Sequence, residues 1–99
     1  MRQITADAYY AFCHKKRFRK SNTEVAIING EAHLYLFGNE IARTDDGRVL
    51  ISSAGYVTST TRERLNAFPV RLRIAKGKFI LNECMQWDGK WINVGDTYV

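Results

Sequence analysis

Few side chains in this 99-residue sequence could take part in chemistry, and their spacing decides which kind. Cys13 and His14 would supply a nucleophile and a base, but neighbouring helix positions point about 100° apart and cannot pair unaided. His33 alternates with Tyr35 on the side of its segment away from the apolar residues, which makes it an exposed strand histidine rather than a general base. Asp45-Asp46-Gly47 brings two carboxylates together, yet lacks the other ligands of a calcium loop and suits a hairpin turn better. No Cys-x-x-Cys or His-x-x-x-His spacing occurs, so no metal, no cofactor and no catalysis are expected.

The chemistry that remains is electrostatic. In His14-Lys15-Lys16-Arg17-Phe18-Arg19-Lys20 five residues are permanently cationic, and no carboxylate lies between Ala8 and Thr23 to neutralise them. With a formal net charge of +5 and a pI near 9.5, this run points to a polyanionic partner, nucleic acid first. Lys15, Lys16, Arg17, Arg19 and Lys20 would contact phosphates, with Phe18, Tyr10 and Tyr56 as stacking candidates. Arg71 and Arg73 share one face of a later strand, followed by Lys76 and Lys78, and would extend the surface if that strand lies near the end of the first helix. Arg62 follows the hydroxyls of Thr58, Ser59, Thr60 and Thr61, a secondary anion contact for which plain helix capping is the simpler account. No zinc-finger, helix-turn-helix or RNA-recognition signature supports base-specific readout. The alternative is a protein-binding module using His33, Tyr35 and Phe37 or the tryptophans Trp87 and Trp91, with the cations serving solubility and helix stability. A third option is self-association through an edge strand near Arg43 or through the final hairpin.

One domain over residues 1–99 must position these side chains. That length buries roughly 60–65% of the unfolded surface, enough for one core without staples. The longest apolar runs, Val25-Ala26-Ile27-Ile28 and Leu34-Tyr35-Leu36-Phe37, are far too short to span a membrane. Cys13 and Cys84 fit reduced, buried thiols of a cytoplasmic protein better than a disulfide.

A helix is expected over 6–16, capped by Thr5, with Ile4 and Tyr9 as a hydrophobic staple and Tyr9, Phe12 and Cys13 as its buried stripe. Asp7 would fall in its first turn and the cations in its last, as the helix dipole prefers. Asn29-Gly30 then fixes a hairpin in which Ile28 faces Glu31, Val25 faces Leu34 and Thr23 faces Leu36. A turn at Gly38-Asn39 would set Leu36 against Ile41, and a three-residue connection at Asp45-Asp46-Gly47 would set Ile51 against Ile41. Val25, Ile27, Ala32, Leu34, Leu36, Ile41 and Ile51 would share one apolar face under Tyr9 and Phe12. Glu24, Glu31, His33, Tyr35, Glu40 and Ser52 would face out. Thr60 and Glu63 have the capping-box form, opening a short helix that stops before Pro69 with Leu65 and Phe68 inward. Strands follow over 70–74 and 79–81, and a final hairpin over 85–94 would turn at Asp88-Gly89. The class is α+β: an antiparallel β-meander covered by an N-terminal helix, with a second short helix and C-terminal β-hairpins.

Ordered blocks from Leu34 onward carry a resemblance. Leu34-Tyr35-Leu36-Phe37-Gly38-Asn39-Glu40-Ile41-Ala42 is followed by Leu50-Ile51-Ser52-Ser53-Ala54-Gly55-Tyr56. After them come Thr60-Thr61-Arg62-Glu63-Arg64-Leu65-Asn66 and the ending Gln86-Trp87-Asp88-Gly89-Lys90-Trp91. Together they resemble a family of short bacteriophage accessory proteins of unassigned function. The resemblance implies no catalytic residues; it implies a protein made in the cytoplasm of an infected bacterial host, where it could interfere with a host machine or defence complex.

Overall fold

The computed structural model describes residues 1–96. In chain order the elements are α1 (Gln3–Cys13), β1 (Phe18–Lys20), β2 (Thr23–Ile28), β3 (Glu31–Leu36), β4 (Asn39–Asp45) and β5 (Arg48–Ile51). Then come α2 (Ser59–Leu65), β6 (Leu72–Ala75), β7 (Lys78–Leu81), β8 (Met85–Trp87) and β9 (Ile92–Asp96). One antiparallel sheet runs β1-β2-β3-β4-β5-β9, and β6-β7-β8 form a second. The helix α1 lies across β1, β2 and β3, while α2 packs on β6 and β4. The class is α+β, as expected.

The meander follows from its turns. Asn29-Gly30 forms the two-residue loop, and β2 pairs with β3 in the expected register, Val25 opposite Leu34 and Thr23 opposite Leu36. The next two turns differ from expectation. Phe37-Gly38, not Gly38-Asn39, makes the second loop, so Leu36 faces Asn39. Asp46-Gly47 makes the third, with Asp45 facing Arg48 and Ile51 facing Ala42. Between these turns the β3–β4 register shifts at Leu34/Tyr35, which leaves Ile41 as an extra residue. A bulge lets two consecutive residues point the same way, and Ile41 and Ala42 are both buried. The shorter loop and the bulge cancel in parity. Val25, Ala32, Leu34, Leu36, Ile41 and Ile51 are therefore buried together as expected, with Ile27 partly so.

The first helix begins three residues early and ends three early. Arg2, not Thr5, is its N-cap, and Arg2 offers no side-chain cap. The missing acceptor comes from α2. Glu63 Oε2 accepts the Arg2 N–H at 3.2 Å, and Oε1 accepts the Thr5 hydroxyl. Thr5, Ala8, Ala11 and Phe12 form the buried stripe, not Tyr9, Phe12 and Cys13. At the other end Lys16 N–H donates to Ala11 O and Lys15 N–H to Phe12 O, with Lys15 left-handed at φ 53°. That closing motif stops the helix at Cys13. Cys13 and Cys84 are both exposed free thiols, so the expected burial fails: Cys13 points away from the stripe that the earlier start selects.

Segment 85–94 is not a hairpin. β8 pairs with β7 in the second sheet, whereas β9 pairs with β5 in the first. Residues 88–91 carry the chain between sheets, and Gly89 is the crossing point. Its carbonyl accepts the Ser53 N–H and the Ser52 hydroxyl, each at 2.9 Å. A Cβ at Gly89 would collide with Ser53 Oγ. Ser52, expected on the outer face, is buried by this contact.

Helix α2 starts at Ser59, capped by Thr58, whose hydroxyl accepts the Thr61 N–H at 3.1 Å. The expected capping box at Thr60 does not form, because Glu63 is committed to α1. Leu65 and Phe68 are buried as expected. Phe68 meets Tyr9 and Phe12 edge-on, with ring centroids 5.0 and 5.1 Å away; such pairs contribute about 0.5–1.5 kcal/mol beyond their area. Beside them sits a buried arginine. Arg64 donates to Thr23 Oγ1, Thr5 Oγ1, Asn22 Oδ1 and Glu63 Oε1, joining α1, α2 and the β1–β2 hairpin.

Candidate nucleic-acid interface

The basic run does not end the helix as a disordered cluster. His14 caps α1, Lys15 turns the chain, and Phe18-Arg19-Lys20 become β1, a strand absent from the expectation. A two-residue loop at Ser21-Asn22 sets Phe18 opposite Val25, Arg19 opposite Glu24 and Lys20 opposite Thr23. Pairing with β2 settles the alternation. Phe18 turns inward and packs against the core; this is the anchor role, not stacking. Arg19 turns outward, and Arg17 and Arg19 flank a hollow of about 430 Å³ beside Val25, Ala26 and Ile27.

As the end strand of the sheet, β1 leaves one backbone edge unpaired. The cations Lys16, Arg17, Arg19 and Lys20 are all exposed there. Among the described residues none of these four forms an ion pair, while Lys15 Nζ reaches Glu31 at 3.9 Å. Lys16 Nζ sits 5.6 Å above the Tyr10 ring, whose other neighbour is His14 at 4.0 Å. Tyr10 is thus already engaged by its own helix end.

The outer sheet face continues from Arg19. Its rows carry Arg19, Glu24, Tyr35 and Glu40, then Ala26, His33, Arg43 and Leu50. His33 Nδ1 contacts Glu40, and its ring stacks on Tyr35 at 6.5 Å. Arg43 lies 4.3 Å over the Trp91 ring and 3.8 Å from Glu40. Burial, then the Glu40 and Glu24 carboxylates, raises the Tyr35 phenol above its ordinary value. Phe37 protrudes from the β3–β4 turn, 69% exposed. The two surfaces that the sequence offers as rivals therefore adjoin at Arg19, whereas Lys20, opposite buried Thr23, alternates to the α1 side beside Arg2 and Ile4.

Other candidates lie apart from it. Arg71 and Arg73 belong to the second sheet and the segment leading into it, where Arg73 is paired with Glu83 at 2.9 Å. The basic run sits instead on the first sheet, at β1, and no common ion pair or hydrogen bond joins the groups among the described residues. Arg62 is half-buried on α2, and the neighbouring Thr58 hydroxyl is consumed by capping. Trp87 is buried against Phe79 and donates its indole N–H to Lys90 O at 3.0 Å. It cannot contact a partner, and the tryptophan-hairpin version of the protein-binding alternative goes with it. Trp91 stays on the outer face.

Sequence reasoning missed Arg64 and Glu31. Glu31 accepts the Thr44 hydroxyl at 2.6 Å and the Asp46 N–H at 2.8 Å, and these bonds, the backbone one foremost, hold its carboxyl below the ordinary value. Alternation placed Glu31 on the outer face, but nothing local indicates that it would clasp the next hairpin. Among the described residues no group of three or more His, Cys, Asp or Glu side chains is placed to hold a metal ion. No helix among them is long and apolar enough to cross a membrane.

Against known families, residues 1–97 match the family described as Kyanoviridae Gp96 protein. No curated protein and no solved structure matches the chain.

Proposed function

The chain belongs to the Kyanoviridae Gp96 family of bacteriophage proteins, and from that premise we propose that it is a non-enzymatic accessory protein that docks on nucleic acid through the β1 edge. One observation carries the reading: Lys16 and Arg17 just before the edge strand β1, and Arg19 and Lys20 within it, are exposed and have no ion-pair partner among the described residues. Phosphates would replace water and counterions around them, so affinity rests on counterion release. In an infected bacterium the target would be free nucleic acid or a host nucleoprotein complex whose action the docking obstructs.

Titration against single- and double-stranded DNA and RNA at two salt concentrations tests this. Replacing Lys15, Lys16, Arg17, Arg19 and Lys20 with glutamine should abolish binding. Partial replacements should lower the salt slope by roughly 0.7–0.9 for each phosphate no longer neutralised. No binding by the unmodified protein to any of the four at low salt would end the proposal. A host-protein partner on the outer face would then be the account to pursue, supported by the Arg43–Trp91 stack and the exposed Phe37. Such an interface would depend little on salt.

A further inference from the structure

A second hollow, of about 410 Å³, lies between the β3–β4 turn and segment 53–61. We infer that it is a base pocket, taking an unpaired nucleobase from single-stranded nucleic acid; this rests on the nucleic-acid reading and names the form of the ligand. Leu36 and Ile41 give it an apolar floor, Phe37 and Tyr56 stand at its mouth, and Asn39 and Thr60 offer an amide and a hydroxyl. A flat heteroaromatic ring with polar edges matches that lining, and the volume is of the order that small-molecule sites use.

Phe37 is the residue that demands an explanation. It is bulky, 69% exposed, and left-handed at φ 52°. The same place in the other two-residue turns is held by polar residues, Ser21 at φ 55°, Asn29 and Asp46 at φ 52° and Lys76 at φ 53°. The backbone conformation is thus common to these turns, and what sets Phe37 apart is a large apolar ring held out in water at the rim of a hollow. An exposed aromatic beside a partly apolar cavity is the kind of group that ligand sites use. Tyr56 is presented in a similar way. It ends a tight turn in which Ala54 and Gly55 have φ of 55° and 87° and the Tyr56 N–H donates to Ser53 O at 3.0 Å.

The backbone that carries each aromatic is pinned. The Phe37 N–H donates to Asn22 O at 2.8 Å, and the Ser52 and Ser53 hydroxyls accept the Ala54 and Gly55 N–H groups. A groove lined by Arg19, Glu24, Tyr35 and Phe37 begins at the cationic edge and shares Phe37 with this pocket. Glu24 repels phosphate along that path, so the backbone stays at Arg19 and the edge while bases reach across the aromatic side. Bases stacked and paired in a duplex cannot make that excursion.

The test is fluorescence anisotropy with a labelled single strand and its duplex, at two salt concentrations, using the unmodified protein, Phe37→Asn and Tyr56→Ala. Phe37→Asn suits the turn, so loss of folding cannot account for its effect. The single strand should bind more tightly than the duplex. Each variant should weaken the single strand by about 5- to 100-fold, leaving duplex affinity and the salt slope unchanged. Salt-dependent binding by the unmodified protein without single-strand preference, or variants that change neither or both ligands equally, would overturn the pocket and leave the phosphate-docking reading standing. Absence of all binding would overturn both. Nuclease-resistant capture of a host protein that depends on Phe37 would reassign the pocket to a protein side chain.

Discussion

Arg64 is almost wholly buried, and its guanidinium has an acceptor on each side: Thr5 from α1, Thr23 and Asn22 from the first hairpin, and Glu63 beside it. Removing one member of such a network leaves the others buried without partners, which typically costs about 3–5 kcal/mol. Arg64→Ala should therefore lower the unfolding free energy by that order, read from denaturation curves, more than any single replacement in the basic run. Gly89 gives a second residue-scale test. Gly47 and Gly89 both have positive φ, but a Cβ at Gly47 meets open space and at Gly89 meets Ser53. Gly47→Ala should cost only the conformational term of about 1–2 kcal/mol. Gly89→Ala should cost clearly more, and equal losses in paired denaturation curves would argue against the crossing between sheets. Cys13 and Cys84 should both label rapidly in the native protein, since both are exposed. Burial and contact with Cys13 push the neighbouring Tyr9 phenol up to about 12.

At the scale of elements, legibility in the sequence tracked how local the cause was. Asn29-Gly30 fixed the β2–β3 register because a two-residue turn carries its own backbone signature. The Phe37-Gly38 turn was missed because phenylalanine carries no turn signal of its own and Gly38-Asn39 beside it does. β1 was hidden because its cations read as a helix end, while the closing turn at Lys15 has no glycine to announce it. The joining of α1 to α2 through Glu63 links residues far apart in the chain, Arg2 and Thr5 on one side, and no local pattern encodes it. That joint gives a pH test. Burial raises the Glu63 carboxyl, but Thr5, the Arg2 amide and Arg64 more than offset it, leaving it below its ordinary 4.5. A lowered folded-state value means the stability is present above about pH 4.5 and is lost as pH falls through that lower value. Denaturant midpoints should therefore drop as the pH is taken from about 5 to about 3, and Glu63→Gln should flatten this drop, together with a lower midpoint at neutral pH. Glu31, also lowered, contributes in the same direction, so the flattening should be partial.

For the whole molecule the question is why so much positive charge collects on one margin of the first sheet. Lysine and arginine on an edge strand discourage pairing with another chain, and that alone could account for Arg19 and Lys20. It does not account for Lys16 and Arg17, which precede the strand and guard no ladder. The two explanations separate in one variant. With Lys16, Arg17, Arg19 and Lys20 changed to glutamine, thermal unfolding should shift by no more than a few degrees, because exposed charges contribute little individually. If the cations served only as an edge guard, light scattering should reveal concentration-dependent association and no other defect. If they hold phosphates, the variant should stay at the parent's molecular mass and lose nucleic-acid binding. Adding Phe37→Asn to it should then change nothing further, since a base cannot be delivered to the pocket once the backbone is no longer held. A further loss in the combined variant would show that edge and pocket act independently, and would break the single path from Arg19 to Tyr56.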